Sequence, residues 1–354
     1  MVPPLNRAPL SAQVSPPATV LVVGEALVDE FDDGSRVAGG APFNVARWLA
    51  ALGVPTCFVS RVGKDDEGAR CLLDSARRVG LALHGVQVDD QHPTGRVQVT
   101  RTPGGHRFAI GSPAAWDHID ADQALQALQA TSPAVVVFGS LAQRHPTSRM
   151  AITKLLQNTT ALRFADLNLR AGTDTRALAE HTLQLADCLK VNEDEWAQLL
   201  AWFAPSDKQG ADRQGCASHP VEPESKEAHD SNTLQESQGS QQAQWARRQR
   251  QALMRRFQLQ RVVLTCGERG WLTFNADGWV DASGAAEAVP HLVDTVGAGD
   301  SFLAVLVAAW ARGQPLVDSL QAANRLAAAV CGQQGAMPND DAFISNWRDQ
   351  LTPS

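Results

Sequence analysis

Val293-Asp294-Thr295-Val296-Gly297-Ala298-Gly299-Asp300-Ser301-Phe302 is the stretch from which the rest of the chain can be read. It runs into Ser301 to Arg312 (SFLAVLVAAWAR), which is apolar, lacks Pro and Gly, and stops at Gly313. That pattern predicts a buried helix with a C-terminal glycine. The paired glycines then sit at a helix N-terminus, where unbonded N–H groups and the positive dipole end favour an anion. Asp300 falls at the same place. A carboxylate beside an anion site is electrostatically unfavourable unless it takes a proton from something. An anion cradle next to a carboxylate base points to phosphoryl transfer onto a hydroxyl. Read alone, G-x-G-D is equally a loop of turning glycines with a capping aspartate. The longer string before an apolar helix, and the motifs elsewhere, favour the chemical reading.

Composition sets the frame. A chain of 354 residues can bury a sizeable core, as one large α/β domain or two smaller ones. The hydrophobic share of 44% is that of an ordinary globular protein. A formal charge of −7 offers no general attraction to nucleic acid or to an acidic membrane surface. The six cysteines (Cys57, Cys71, Cys188, Cys216, Cys266, Cys331) form no C-x-x-C pair, and the nine histidines form no H-E-x-x-H, so zinc and redox readings gain nothing. The N-terminus has no apolar signal core, and no run approaches the ~18 apolar residues of a membrane span. A cytoplasmic protein with a disordered tail over residues 1–18 is expected.

Short β-branched runs alternate with helical patterns. Strands are predicted at Thr19–Gly24, Thr56–Val62, Ala134–Phe138, Arg163–Asp166, Cys188–Val191 and Arg261–Thr265. Helices are predicted at Phe43–Leu52, Asp66–Val79, Ala121–Gln129, Pro146–Gln157, Arg176–Ala186 and Gln244–Phe257. This alternation implies an α/β fold with a mostly parallel sheet covered on both faces. Two segments depart from it. Within residues 86–112, Gly95 to Arg101 and Arg107 to Ile110 flank a Pro-Gly-Gly turn and read as a hairpin, with residues 31–38 adding a strand. Such a hairpin could be a lid or a dimer surface. Residues 205–242 are polar and nearly free of aromatics, and read as a disordered insert, not a domain boundary, because the sheet pattern resumes afterwards.

Several motifs fall at predicted strand ends, where ligands bind in parallel sheets. Asp29, in Gly24-Glu25-Ala26-Leu27-Val28-Asp29, could accept two sugar hydroxyls or simply cap a turn. In Gly39-Gly40-Ala41-Pro42-Phe43-Asn44, the glycines permit close approach of a ligand and Asn44 presents a donor and an acceptor together. The string Gly63-Lys64-Asp65-Asp66-Glu67-Gly68 reads as an acidic helix start. Alternating polar residues in Asp166-Leu167-Asn168-Leu169-Arg170 could face a phosphate and its metal. Asn192 and Glu195 are three apart and share a helix face, and one glutamate is enough for a magnesium ion held mainly by water and phosphate. Thr265, Gly267 and Gly270 close the RVVLT strand and suit a nucleotide passing over the backbone. There is no Walker A motif and no G-x-G-x-x-G opening a helix after a strand.

Together these residues resemble the ribokinase-like carbohydrate kinases, the phosphofructokinase-B family. Asp294-Thr295-Val296-Gly297-Ala298-Gly299-Asp300 matches that family's D-T-x-G-A-G-D signature, and Gly39-Gly40-Ala41-Pro42-Phe43-Asn44 its G-G-x-x-x-N signature. The likeness runs from about Val20 to about Trp347, the polar insert apart. It implies a three-layer ribokinase-like fold over residues 19–350 with a small β lid. It also implies Asp300 as catalytic base, with the amides of Gly297, Ala298, Gly299 and Asp300 as anion hole. Asp29, Gly39, Gly40 and Asn44 would hold the sugar. Asn192, Thr265, Gly267, Gly270 and Asn324 would serve ATP, and Glu195 the water shell of Mg²⁺. Asp294 and Thr295 resemble a monovalent-cation site, usually potassium.

Gly24 to Asp29, Phe138-Gly139-Ser140-Leu141, Asp166 to Arg170 and Ala114-Ala115-Trp116 are similar to fructokinase strings. Asp166-Leu167-Asn168 lacks the family's usual central proline, and Cys331 to Ala336 lacks the proline often found before the final Gly-Ala. The expectation is therefore an ATP-dependent kinase acting on a primary hydroxyl of fructose. The alternatives are ribose, a nucleoside, or a 2-keto-3-deoxy sugar acid met by Arg96, Arg101 or Arg107. A further alternative, from another class, is a catalytically silent sugar- or nucleotide-binding regulator. The lid's exposed edge suggests a homodimer formed through it.

Overall fold

The first strand, β1 (Val20–Val23), shows how the sheet is built. Val20 and Val22 enter one buried core, Leu21 and Val23 another. Successive side chains point to opposite faces, so an unbroken apolar run is stable only in a sheet covered on both sides. The computed structural model describes residues 18–102, 105–169, 175–205 and 241–351. The expected tail up to residue 17, the Pro103-Gly104 turn, Arg170 and residues 206–240 of the expected insert lie outside the described residues.

After β1 come β2 (Leu27–Phe31), β3 (Arg36–Gly39), α1 (Ala41–Ala51), β4 (Thr56–Gly63), α2 (Glu67–Arg78), β5 (Val86–Asp89), β6 (Gly95–Thr102) and β7 (Gly105–Ile110). The middle of the chain gives α3 (Ala121–Thr131), β8 (Val135–Gly139), α4 (Pro146–Gln157), β9 (Leu162–Asp166), α5 (Arg176–Leu185), β10 (Cys188–Asn192), α6 (Glu193–Phe203) and α7 (Gln241–Phe257). The C-terminal part gives β11 (Arg261–Thr265), β12 (Trp271–Asn275), β13 (Val280–Gly284), α8 (Ala298–Ala311), α9 (Leu316–Cys331) and α10 (Asp341–Leu351).

Nine strands form one sheet in the order β13-β12-β11-β10-β9-β8-β1-β4-β5. It is parallel except for β12 and β13. Helices α1, α2, α8, α9 and α10 cover one face, and α3 to α7 the other. This is the expected ribokinase-like three-layer arrangement. Because β1 has β4 on one side and β8 on the other, the strand order reverses beside it. A crevice opens at the carboxyl ends of the strands at such a point.

The lid is a second sheet of four strands, β3-β2-β6-β7. Its membership differs from the expectation in two places. Residues 27–30 belong to it, because β2 pairs with both β3 and β6. Residues 86–89, expected within the lid, instead form the edge of the large sheet, Ser60 pairing with Val86 and Gly63 with Asp89. The alternation in Val-Gln-Val-Asp is inverted relative to a lid strand. Val88 is exposed while Gln87 and Asp89 are buried, because the Gln87 amide bonds both backbone groups of Asp120 and Asp89 pairs with Arg61. The residues predicted as an acidic helix start do cap α2: Asp66 accepts from Ala69 N, and its other oxygen takes Thr94 N at the base of the lid. Losing such a cap typically costs about 1 kcal/mol. Among the described residues no helix is long and apolar enough to cross a membrane.

Candidate active site

Helix α8 begins at Ala298, three residues earlier than the apolar run suggested, so Gly299 and Asp300 lie inside its first turn. Gly297 caps it at φ 77°, the left-handed region that glycine enters without steric cost. A Cβ there would also stand 2.4 Å from Cα of Ala336, so the turn carrying Ala336 presses directly on the cap. Trp48 Nε1 donates to the Ala336 carbonyl at 3.0 Å and holds that turn in place. Asp294 joins the same two segments, accepting from Val296 N with one oxygen and from Gly335 N with the other, each at 3.0 Å. Asp294 is therefore a bracket between these segments. Thr295 gives its carbonyl to Ala298 N at 3.3 Å, which turns the Ala298 amide towards the preceding residues.

Residues 297–299 are partly accessible, and the Asp300 side chain is buried beneath them. Its Oδ2 accepts from Asn44 Nδ2 at 2.7 Å, across 256 residues of sequence. The two most specific motifs thus meet in one hydrogen bond. Asp29 lies on β2 beside the other half of the glycine motif, its Oδ2 2.9 Å from where a Cβ on Gly39 would stand. A narrow cleft between the start of α1 and the ends of β8 and β9 is lined by Pro42, Gly139, Ser140, Asp166 and Asn168.

Beneath the start of α8 lies a group that motif reading missed. Lys190, in the middle of β10, is buried and pairs with Asp166 at the end of β9, Nζ at 3.1 and 3.2 Å from the two carboxylate oxygens. A Cβ on Gly299 would be 2.8 Å from this Nζ, so only a glycine admits the ammonium against the first turn of α8. Burial works against the charge, but Asp166, Glu195 and Asp300 outweigh it and hold Lys190 above the ordinary lysine value. Its contribution to stability is therefore complete below the ordinary pKa near 10.5 and is lost only as pH rises through the raised value. The sequence carried a signal for it: a lysine inside the buried strand Cys-Leu-Lys-Val-Asn needs a partner.

Asn192 and Glu195 form a capping box for α6, Asn192 Oδ1 accepting from Glu195 N at 2.9 Å and Glu195 Oε2 from Asn192 N at 2.8 Å. Glu195 Oε1 also takes Leu169 N at 2.7 Å. Burial pushes the Glu195 carboxyl up, with Asp166 adding, against Lys190 and the two N–H donors. With both oxygens already accepting backbone hydrogens, Glu195 suits contact with a cation through water. Among the described residues no cluster of three or more His, Cys, Asp or Glu could hold a metal by itself, so the donor set fits an ion carried largely by phosphate and water.

Among the residues expected to serve ATP, Thr265 Oγ1 donates to the Val191 carbonyl at 3.3 Å. Gly267 adopts φ 53° facing open space. Gly270 has a structural reason to be bare, since its Cβ would stand 2.0 Å from the Gly284 carbonyl oxygen. Asn324 Nδ2 donates to the Ala285 carbonyl at 2.9 Å and ties α9 to the segment after β13. On the lid, Arg96 is exposed and lies 3.9 Å from Glu30, while the side chains of Arg101 and Arg107 are outside the described residues.

The comparisons with known proteins come to the same place. The profile of the pfkB family carbohydrate kinases matches residues 18–213 and 228–342. The bifunctional protein HldE of Methylobacillus flagellatus is 24% identical over an alignment covering 93% of this chain; the chain spans 62% of that protein's length. The fructokinase of Escherichia coli is 30% identical over 56% of this chain and 66% of its own. A sugar kinase of Pyrococcus horikoshii, solved in complex with ATP, superposes with a TM-score of 0.68 at 21% identity, covering 94% of this chain and all of its own.

Proposed function

This chain belongs to the pfkB family of carbohydrate kinases, and on that footing we propose that it transfers the γ-phosphoryl group of ATP to a primary hydroxyl of a monosaccharide, with fructose as the acceptor. The observation that carries the reading is the 2.7 Å contact between Asn44 and Asp300 at the mouth of α8. A sugar-side amide and a buried carboxylate meet there beside the first-turn amides of the helix. Asp300 takes the proton of the acceptor hydroxyl, which makes the oxygen a nucleophile. Asp29, Gly39, Gly40 and Asn44 fix the sugar's other hydroxyls, so the attacking oxygen is presented in line. The first-turn amides, chiefly those of Gly299 and Asp300, meet the charge that develops on the transferred group. Lys190 adds a fixed positive charge directly under Gly299. Asn192, Thr265, Gly267 and Asn324 line the path of the nucleotide. A magnesium ion held by the ATP phosphates and by water next to Glu195 would neutralise phosphate charge. Asp294 and Thr295 would stand next to a potassium ion.

Fructose is favoured by the Escherichia coli fructokinase at 30% identity and by the fructokinase-like strings around Asp29 and Asp166. The test is a panel of hexoses, pentoses, nucleosides and sugar acids with Mg-ATP, run on the natural chain and on Asp300→Asn. Fructose should be phosphorylated fastest, and Asp300→Asn should lose about 10²- to 10⁴-fold in turnover, the range expected for a general base, while still binding the sugar. Near-normal turnover by Asp300→Asn refutes the base, and preference for another acceptor refutes fructose. Sugar binding without phosphorylation across the panel would establish a silent regulator instead.

A further inference from the structure

We infer that Arg47 is a positioning residue for the base: it dictates which end of the Asn44 amide faces Asp300, and it ties that contact to the lid. The inference rests on Asp300 acting as the base. Arg47 sits on α1 three residues after Asn44, on the same face of the helix. The helix is apolar on nearly every side, so a guanidinium in it needs partners. Its Nη1 donates to Ser75 Oγ on α2 at 2.8 Å, and its Nη2 to the Ala38 carbonyl on β3 at 3.2 Å and to Asn44 Oδ1 at 2.5 Å.

An arginine offers donors only. The end of the Asn44 amide that meets it must therefore be the oxygen. The amino end is left for Asp300, and it donates there at 2.7 Å. An ionised Asp300 asks for the same amino end, so the two groups prescribe one orientation together, and without Arg47 only the charge on Asp300 does so. Turned over, the amide would set oxygen against a carboxylate oxygen, and the two could bond only if Asp300 kept a proton. A base that already holds a proton cannot accept the one on the sugar. With Arg47 in place, Asn44 donates to the carboxylate, and such a bond favours the ionised form.

Arg78 and Cys71 on α2 and Asp300 on α8 act on Arg47, and Lys190 on β10 acts on Asp300. Burial, with Arg78 adding, lowers the Arg47 guanidinium to about 10, against the pull of Asp300, and it remains charged at neutral pH. Ala38 directly precedes the glycine pair and lies on β3 of the lid. One guanidinium thus joins the lid, α2 and α1, and through Asn44 reaches α8.

The experiment uses the full chain with its preferred sugar from the panel, comparing Arg47→Met, Arg47→Lys, Asn44→Ala, the double variant Arg47→Met/Asn44→Ala, and Asp300→Asn. Arg47→Met should lose about 10- to 100-fold in kcat, the size expected of a hydrogen bond to a charged group, with KM for ATP unchanged. The acidic limb of its kcat/KM profile should move to higher pH. Arg47→Lys, which can still donate to Asn44 Oδ1, should recover most of kcat and return the limb. The double variant should be no slower than Asn44→Ala alone, because Arg47 acts through Asn44. Normal kcat and an unmoved limb in folded Arg47→Met overturn the inference, and so do additive losses in the double variant. If Arg47→Met does not fold, Arg47→Gln, neutral and with its amide ending two bonds short of Nη2, takes its place in the cycle with Asn44→Ala. An active Asp300→Asn removes the base itself, whereas a dead Asp300→Asn beside an unaffected Arg47→Met removes only the role of Arg47.

Discussion

Two buried ion pairs join β9 to β10 and the residue before it, one towards each end of β9, and they differ in what surrounds them. At the amino end, Arg163 and Asp187 are wholly buried. The carboxylate takes the Arg163 backbone N–H at 2.9 Å and its Nε and Nη2 at 2.8 Å each. At the carboxyl end, Lys190 and Asp166 face each other in register, with two longer contacts of 3.1 and 3.2 Å. Both pairs span 24 residues and join the same two stretches of chain. The planar arginine fork gives Nε and Nη2 to its partner, while its buried Nη1 meets no hydrogen-bond partner among the described residues. The lysine ammonium is a compact charge with three donors on a flexible stem, and it also abuts Gly299 at the proposed anion hole. In a parallel sheet ligands gather at the carboxyl ends of strands. The same kind of interaction is therefore structural at one end and available to chemistry at the other.

The largest effect that can test this contrast is on stability at the amino end. Asp187→Ala leaves a buried guanidinium without its partner and should cost about 3–5 kcal/mol, read by chemical denaturation, with kcat per folded molecule unchanged. A kinetic defect in folded Asp187→Ala would show that both ends serve the reaction. Next is Lys190→Met, which should lower kcat by about 10²- to 10³-fold, as for removal of a preorganised charge at a developing anion, with KM for the sugar little changed. If its kcat is preserved, the two pairs are equivalent and Lys190 is structural.

Lys190→Arg should keep the charge but lock it to Asp166 in a fork, slowing turnover by roughly tenfold. Full activity in that variant would mean that charge alone matters and mobility does not. The smallest effect concerns Cys266, beside Gly267 on the proposed nucleotide path. Burial and the Glu193 charge push its thiol up to about 12, with Arg269 opposing. The thiolate is the reactive form, so alkylation at neutral pH should leave turnover intact. The rate should climb about tenfold per pH unit and show no plateau below the raised value. Rapid inactivation at neutral pH, protected by ATP, would show a thiolate at the nucleotide path.

Much of this was legible before any coordinates. β1, β4, β8, β9, β10 and β11 fall where short apolar runs predicted them, because strands buried on both faces need continuous hydrophobic sequence. α4 begins and ends as predicted, with Pro146 at its first turn and His145 as its cap. β5 was misplaced because its polar residues are the buried ones, and the partners that allow this, Asp120 and Arg61, are distant in sequence. The strands β12 and β13 were not predicted at all: Thr273 is buried, and its hydroxyl is met by Asp281 and Arg261 from the neighbouring strands. Of the candidate site, the contact of Asn44 with Asp300 follows the two motifs, whereas Lys190 and Arg47 belong to no motif.

The amino-acid sequence by itself determined the alternation of strands and helices, the glycine-capped helix start at Gly297 to Asp300, and the family to which those motifs belong. These are local matters, set by hydrophobic period, glycine placement and helix dipole over a few turns of chain. Tertiary structure alone decided that Arg47 faces Asn44's oxygen, that Lys190 lies under Gly299, and that β5 leaves the lid for the main sheet. Each of these places a charged or polar group in the interior. A buried polar group is tolerated only where a partner meets it, and here those partners are brought up by packing from distant segments of the chain.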